Sequence, residues 1–326
     1  MNLEVKVSDP LNILSSTKPI IEKAQFVQLN ENGMEQVSGR IQERLNQGLE
    51  SAEAGFGATG DFKPDVQLIF LQTATNFCFW AEKDKPRWQV EWKGKNISGF
   101  YALAASFQRA LIENPQILDA NYLSNISNAD VEHLFRSNNG TEIPLLSKRT
   151  DNLQEAGKVL KERYNGQFIN AMEDANFDAI EIAELLYRDF NSFKDVAQID
   201  GKEVVILKRA QIAPNDLSYL SQIGGKNISN LDALTAFADY KIPQMLRDAG
   251  IIKYSDDLAE RVDNYVLIPA GSREEVEIRA ATIWGIELLR QRLSNHTANE
   301  IDNALWLLSQ DQTGLKPYHR TYTTFY

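Results

Sequence analysis

Apolar residues recur at helical spacing along most of the chain and at strand spacing in only a few short stretches. Residues 178–190 show this best, because Ala179, Ile182, Ala183, Leu186 and Phe190 follow the i, i+3, i+4, i+7 pattern of one helix face. Similar patterns predict helices over residues 32–50, 101–111, 128–135, 151–164, 242–247 and 274–290, and strands near 88–92 and 204–207. The chain is therefore predicted to be mainly α-helical with a few short β-strands.

For two local patterns the sequence allows more than one interpretation, and for a third the prediction depends on a single signal. The run Val66–Leu71 is either a buried strand or the start of a buried helix, and periodicity does not separate the two. Asp151 and Gln154 have the spacing of a capping box, which predicts that a helix begins there. The basic pair Lys208-Arg209 follows a β-rich stretch and is either a solvated strand end or part of a functional site.

Composition narrows the class of protein. The 326 residues are 43% apolar and 24% charged, as is usual for a soluble globular chain. The formal net charge of −11 and the lack of a Lys/Arg-rich run argue against polymeric DNA or RNA as a partner. A local basic pocket for one phosphate remains compatible with this charge.

Other sequence signals point to a cytoplasmic protein without a metal. The single cysteine, Cys78, excludes a disulfide within the chain, and the three histidines show no metal-ligand spacing. No uncharged apolar stretch is long enough to span a membrane, and the N-terminus lacks the apolar core of a signal peptide. We expect a reducing, cytoplasmic compartment.

The stretch Phe237–Gln244 contains the most conspicuous candidate for chemistry. One carboxylate, Asp239, lies between Phe237 and Tyr240, and a helix-like apolar segment from Leu231 precedes it. An acid in aromatic surroundings is a means of tuning a carboxylate for work near neutral pH. The alternative is a structural role, in which Asp239 caps the helix 242–247.

A second candidate is the bulky run from Asn76 to Trp80. It is either a core segment in which the Asn76 amide bonds to backbone, or an aromatic wall for a flat ligand. The residues alone do not decide between these interpretations.

Several stretches, taken together and in order, resemble the queuosine salvage proteins, which are queuosine 5′-phosphate N-glycosylases. No single stretch is diagnostic, but the ordered set is specific from about residue 70 onward. The matching stretches are 76–80, 208–211, 237–244, 253–255, 275–279 and 317–320.

This resemblance implies a fold similar to the helical DNA glycosylases, in one globular catalytic domain over 1–326. A two-lobed form with the cleft between the lobes is compatible with it, and residues 1–60 are expected to be peripheral. The implied reaction is hydrolysis of the N-glycosidic bond of queuosine 5′-monophosphate, which releases queuine for use in tRNA modification. Neither a cofactor nor a metal is expected, nor a polymeric nucleic acid or membrane partner.

The resemblance also assigns roles to residues. Asp239 matches the catalytic aspartate, with Phe237 and Tyr240 beside it, and Asp302 matches an aspartate that contacts the base. Asn303 and Leu307 stand where the family commonly has Tyr and Asp, which puts fine substrate preference in doubt. The remaining expected contacts are Asn76, Phe77 and Trp80 for the pocket wall, and Lys208, Arg209, Lys241, His319 and Arg320 for the phosphate.

Two alternatives accompany this prediction. One is a non-catalytic protein that binds a deazapurine or nucleotide, in which Asp239 only orients the ligand. The other is a glycosidase for a related 7-deazapurine nucleotide. A glycosylase acting on DNA or RNA is disfavoured by the acidic net charge.

Overall fold

The computed structural model describes residues 3–4, 7–49, 59–220 and 226–326. Within these ranges the chain forms fourteen α-helices and six short strands, so the prediction of a mainly α fold is confirmed. The likeness to DNA glycosylases stays a prediction. The helices are α1 (Ile13–Glu22), α2 (Met34–Asn46), α3 (Phe62–Ala74), α4 (Gly99–Glu113), α5 (Ala120–Leu123), α6 (Asn128–Leu134), α7 (Leu146–Arg163), α8 (Phe168–Asp174), α9 (Ala179–Asp189), α10 (Lys208–Ser218), α11 (Lys241–Asp248), α12 (Asp256–Asp263), α13 (Arg273–Arg292) and α14 (Ala298–Asp311).

The strands form three separate antiparallel pairs. Two of the pairs, β2–β3 and β4–β5, are local hairpins, whereas β1 pairs with β6 across most of the sequence. This long-range pair attaches an early segment to the C-terminal half. The strands are β1 (Val27–Leu29), β2 (Gln89–Trp92), β3 (Lys95–Ser98), β4 (Val196–Ile199), β5 (Lys202–Val205) and β6 (Ile252–Tyr254).

Helix α13 is the most enclosed helix of the core. Its residues from Glu275 to Leu289 are all buried, and α1, α11 and α14 pack against it. Gly285 permits this packing, because a Cβ atom there would lie only 3.1 Å from Leu246 Cδ1 on α11. The core therefore surrounds a helix that also carries buried charged residues.

One open local prediction is resolved, and another is wrong. Val66–Leu71 lies within α3, so the helical alternative is correct. Asp151 does not begin a helix: it lies inside α7, whose N-cap is Leu145, and its exposed carboxylate pairs with Lys148 at 3.0 Å. The S/T/D-x-x-E/Q signal fails here because the helix starts a turn and a half earlier.

Two further expectations also need correction. Lys208-Arg209 is neither solvated nor at a strand end, since both side chains are buried and begin α10. The apolar segment before Asp239 is not an α-helix either. It forms one 3₁₀ turn, Leu231–Ala233, and then continues without regular secondary structure to a bend at Asp239. No described helix has the length and apolar character needed to cross a membrane.

Candidate active site

Residues 234–239 have no strand partner among the described residues, and buried side chains pair with three of their backbone groups instead. Gln211 Oε1 accepts from Thr235 N–H at 2.9 Å, and Asp302 Oδ2 accepts from Phe237 N–H at 2.9 Å. Arg279 Nε donates to the Ala238 carbonyl at 3.0 Å. Because buried backbone groups must be paired, these contacts fix the segment immediately before Asp239.

Asp239 caps a helix, as the structural alternative predicts, and its carboxylate also lies on a cavity. Its Oδ1 accepts from the backbone N–H groups of Lys241 at 2.7 Å and Ile242 at 3.0 Å, which caps the first turn of α11. The same carboxylate lines a cavity, and no described protein group donates to its Oδ2. One oxygen therefore holds the carboxylate in place while the other is available to a ligand.

The cavity has a volume of about 240 Å³ and is walled by α3, α10, α14, the loop after α3 and the segment around Asp239. Its lining is mixed, with aromatic rings beside three carboxylates and two ammonium groups. A small site that combines aromatic walls with a few convergent polar groups is typical of small-molecule recognition. The principal lining residues are Gln72, Asn76, Phe77, Arg87, Tyr101, Lys208, Asp216, Phe237, Asp239, Tyr240, Lys241, Asp302, Asn303, Trp306, Tyr318 and Tyr326.

Lys208 lies among the three carboxylates of the cavity. Burial lowers the pKa of its ammonium, and the charges of Asp239, Asp216 and Asp302 oppose that effect. No hydrogen bond from its ammonium to another described residue is found, although its backbone N–H donates to Asp195 at 2.9 Å. Lys208 thus places one positive charge at the centre of an acidic cluster.

Asp302 differs from Asp239 in its surroundings. It is only 3% exposed, and burial followed by the charge of Asp239 raises the pKa of Asp302 to about 8. The Phe237 N–H and the charge of Lys208 counteract this rise. The two carboxylates are close enough to influence each other, so the cavity disfavours the state with both ionised.

Asp216 is a cavity carboxylate that sequence reasoning missed. Burial raises the pKa of Asp216 to about 7, opposed by a hydrogen bond from Asn215 and by the charge of Lys208. Lys208, Ile212 and Asp216 follow i, i+4, i+8 spacing along α10, and all three line the cavity. That periodicity was a usable signal, since residues four apart share one helix face.

The same spacing identifies a second missed set on α14. Trp306 and Gln310 lie four and eight residues after Asp302 and also line the cavity. Leu307 is off this face and does not line it, whereas Asn303 does and donates to Asn215 Oδ1 at 3.3 Å. Of Asn303 and Leu307, only Asn303 therefore reaches the cavity.

The loop after α3 carries Asn76 and Phe77 into the cavity wall. Two fully buried guanidinium groups lie close to the Phe77 ring, Arg149 at 4.2 Å and Arg209 at 5.3 Å from its centroid. Arg149 donates to the carbonyls of Thr75 and Phe77, the latter at 2.5 Å. Trp80 packs behind this wall against Tyr322 and does not reach the cavity.

A buried ion pair supports the wall from behind. Arg279 binds Asp195 through both terminal nitrogens, at 2.8 and 2.5 Å, and Glu275 lies 3.4 Å from the same guanidinium. Asp195 also accepts from Lys208 N–H, while Arg279 donates to the Ala238 carbonyl. This pair therefore fixes the backbone at both Lys208 and the residue before Asp239.

The structure places nine of the sequence-predicted site residues on one cavity and five elsewhere. Arg209 donates to the carbonyls of Ala74 and Ser192, and Arg320 lies 4.2 Å from the centroid of the Tyr265 ring. His319 is buried, and burial with the charge of Arg279 lowers its pKa to about 3, so it is neutral at pH 7. The nine cavity residues are Asn76, Phe77, Lys208, Phe237, Asp239, Tyr240, Lys241, Asp302 and Asn303, and the five others are Trp80, Arg209, Leu307, His319 and Arg320.

No group of three or more His, Cys, Asp or Glu side chains placed to hold a metal ion occurs in the described part of the chain. The acidic cluster also contains Lys208, whose ammonium occupies the position of a counter-ion.

A cavity in which a fixed carboxylate faces aromatic walls and several convergent polar groups is the kind of site found in enzymes that act on small molecules. Comparison with known proteins gives the family. The model of the queuosine salvage protein family matches residues 59–326.

Relatives match over nearly the whole chain. A protein of Sphaerobacter thermophilus is 40% identical over 332 residues, which is 98% of each chain. A protein of Bos taurus is 32% identical over 95% of this chain and 97% of its own, and one of Schizosaccharomyces pombe is 30% identical over 91% and 94%. All three carry the name queuosine 5′-phosphate N-glycosylase/hydrolase. The chain belongs to the queuosine salvage protein family.

Proposed function

We propose that the protein is an N-glycosyl hydrolase that cleaves queuosine 5′-monophosphate into queuine and ribose 5-phosphate. The relatives are named for this activity, and the chain matches them over nearly their whole length. The observation that carries the proposal is the placement of Asp239, whose Oδ1 is fixed by two backbone N–H groups while the carboxylate faces the cavity beside Asp302 and Lys208.

The chemistry of the leaving group explains why a fixed carboxylate is needed. Queuine is a 7-deazaguanine, so the ring nitrogen that is usually protonated when a purine leaves is a carbon atom. Activation of the leaving group is therefore restricted. Catalysis must depend on stabilising the oxocarbenium-like sugar and on activating water.

Asp239 is assigned both tasks. Its negative charge stabilises the positive charge that develops at the anomeric carbon, and its Oδ2 accepts a proton from the attacking water. The new C–O bond forms at the anomeric carbon as the C–N bond breaks. The bonding electron pair leaves with the base, which takes up a proton.

Asp302 is assigned to the base. The guanine-like edge carries paired N–H donors, for which an ionised carboxylate is the natural acceptor. Asp302 already accepts from Phe237 N–H through Oδ2, so its position is set before a ligand binds. Phe77, Phe237 and Tyr240 supply aromatic surfaces around the same space.

The sugar phosphate is assigned to the side of the cavity that contains Lys241. Lys208 is too enclosed by carboxylates to serve as a primary phosphate ligand, because a phosphate there would meet Asp216, Asp239 and Asp302. Its proposed role is to reduce the mutual repulsion of these carboxylates.

Product analysis with purified protein tests the proposal. Incubation with queuosine 5′-monophosphate should release queuine and ribose 5-phosphate in equal amounts, as measured by chromatography. Tight binding of the nucleotide without any product would show a non-catalytic binding protein instead. Faster turnover of a related 7-deazapurine nucleotide would show that the reaction is assigned correctly but that its substrate is a different nucleotide.

A further inference from the structure

The mouth of the cavity carries a cation that neither the sequence patterns nor the family resemblance singled out. Arg87 lines the cavity, yet its side chain is exposed to solvent. Its Nη2 donates to the Tyr318 hydroxyl at 3.4 Å. Lys241 lies on the same side, with its Nζ 5.7 Å from the centroid of the Tyr318 ring. Two cationic groups therefore lie beside one phenol at the opening.

The backbone of Arg87 is anchored although its side chain is free to reach a ligand. The Arg87 carbonyl accepts from Asn139 Nδ2 at 2.9 Å, and the indole of the next residue, Trp88, donates to the Phe135 carbonyl at 2.7 Å. The Trp88 side chain is only 2% exposed. These contacts fix the point from which the guanidinium extends across the mouth.

Lys241 is also held in place. Its Nζ donates to Gln244 Oε1 at 3.2 Å, and Gln244 Nε2 in turn donates to the Lys316 carbonyl at 2.6 Å. Burial lowers the pKa of Lys241, the charge of Asp239 opposes this, and the charge of Arg87 adds to it. The influence of Arg87 on Lys241 means that the two like charges are near each other.

The two cations form no close ion pair with a carboxylate of the described residues. Within the described ranges, no carboxylate lies within 4.0 Å of the side-chain nitrogens of Arg87 or Lys241, although the charge of Asp239 acts on Lys241 from farther away. Like charges held together at an opening repel each other, and an anion bound between them removes that repulsion. Such an arrangement suits a phosphate, which offers several acceptor oxygens to charge-assisted hydrogen bonds.

We infer that Arg87, with Lys241 and the Tyr318 hydroxyl, forms the subsite for the 5′-phosphate of the substrate, and that Arg87 determines the preference for nucleotide over nucleoside. This inference rests on the proposed function. The base and the sugar occupy the inner cavity near Asp302 and Asp239, and the phosphate extends towards the mouth. An exposed guanidinium suits this position because the phosphate keeps part of its hydration there.

The test compares Arg87→Gln with Arg87→Lys and with Lys85→Gln. Lys85 is an exposed cation on the same loop that does not line the cavity in the part of the chain the structure describes. In Arg87→Gln, kcat/KM for queuosine 5′-monophosphate should fall by about tenfold to a hundredfold, mainly through KM, because a charged hydrogen-bond donor to phosphate is lost. The value for queuosine should not change. Arg87→Lys should recover part of the loss, and Lys85→Gln should behave as the wild type.

A binding measurement keeps the inference separate from the proposed hydrolysis. Titration calorimetry with ribose 5-phosphate and with ribose does not depend on turnover. Wild-type protein should bind the phosphorylated sugar more tightly, and Arg87→Gln should lose about tenfold of that preference. An equal preference in wild type and Arg87→Gln would overturn the subsite. Absence of turnover with this preference intact would overturn the hydrolase proposal alone.

Discussion

Buried cations occur both in the wall of the cavity and in the frame behind it, but the two regions use them differently. In the frame, Arg149, Arg209 and Arg279 donate to backbone carbonyls, and Arg279 also binds Asp195. In the wall, the Lys208 ammonium has carboxylates nearby and no hydrogen bond to a described residue. A structural cation donates its hydrogen bonds to backbone carbonyls, whereas a cation that faces the ligand site has N–H groups directed at the cavity. Two consecutive residues, Arg209 and Lys208, show this difference.

The comparison also explains how two carboxylates, which repel each other when ionised, are held close together in the cavity. The frame residues fix the backbone of the wall at Phe77, at Lys208 and at Ala238. Rigid backbone attachment allows Asp239 and Asp302 to remain close despite their mutual repulsion. Changes in the frame should therefore reduce stability first, and changes in the wall should reduce function first.

The largest expected effect on stability is in the frame. Arg279→Met leaves Asp195 buried without its cation, and loss of one partner of a buried ion pair costs about 3–5 kcal/mol. Urea denaturation should show a decrease of this size in the free energy of unfolding. The matched control is Lys148→Ala, which removes an exposed ion pair with Asp151 and should cost less than about 1 kcal/mol. Equal effects of the two substitutions would refute the distinction between frame and surface.

A smaller, functional effect is expected in the wall at Asp302. Asp302→Asn should weaken binding of the free base queuine by about tenfold to a hundredfold, because the amide presents an N–H donor to the N–H groups of the base. The free energy of unfolding should not decrease, because burial of this carboxylate raises its pKa to about 8 and so disfavours its ionised form. Asp232→Asn, an exposed acid of the preceding 3₁₀ turn, serves as the control.

The pH dependence of the same binding sharpens the assignment. The carboxylate accepts the base N–H groups only when ionised, and the pKa of Asp302 in the free protein is about 8. Affinity of the wild type for queuine should therefore rise from pH 6 through pH 8, where half of the carboxylate is ionised, and level off above about pH 9. Asp302→Asn should lose this rise, while Asp216, with a pKa of about 7, titrates in both proteins. A rise of equal size in the variant would show that a group other than Asp302 causes the pH dependence of binding.

The smallest effect concerns salt. A ligand with one phosphate displaces few counterions, so a tenfold increase in salt should weaken nucleotide binding by no more than about tenfold. A protein that grips a nucleic-acid backbone at six or more phosphates would lose roughly five orders of magnitude over the same range. A steep salt dependence would point to a polymeric substrate.

The sequence supports the fold better than the site, and the reason is local. Helices such as α9 and α13 can be predicted from the spacing of their apolar residues, because the residues that share one helix face recur every three or four positions in the sequence. The sequence predicts Asp239 as a cap or as a catalytic acid; the structure shows the cap on a carboxylate that also lines the cavity, and the catalytic role stays a prediction. The sequence pattern common to both roles could not separate them.

Other site residues depended on geometry that the sequence does not contain. Lys208 and Arg209 are adjacent in the chain, and only the direction of the first turn of α10 sends one into the cavity and the other into the frame. Arg87 lies in a loop without periodicity and reaches the site through a contact with Tyr318, which is 231 residues away in sequence. Asp216 was accessible in principle through its i+8 relation to Lys208.

The most direct test of the central claim is the effect of Asp239→Asn on turnover and binding of queuosine 5′-monophosphate, measured separately. The amide keeps the acceptor oxygen that caps α11 but removes the negative charge and the base for water. The account predicts that kcat falls by about a thousandfold or more, while the Kd of the nucleotide changes by less than about tenfold. Retention of kcat within a few fold of the wild type, with protein that is folded and binds the nucleotide, would contradict the assignment of Asp239 as the catalytic carboxylate.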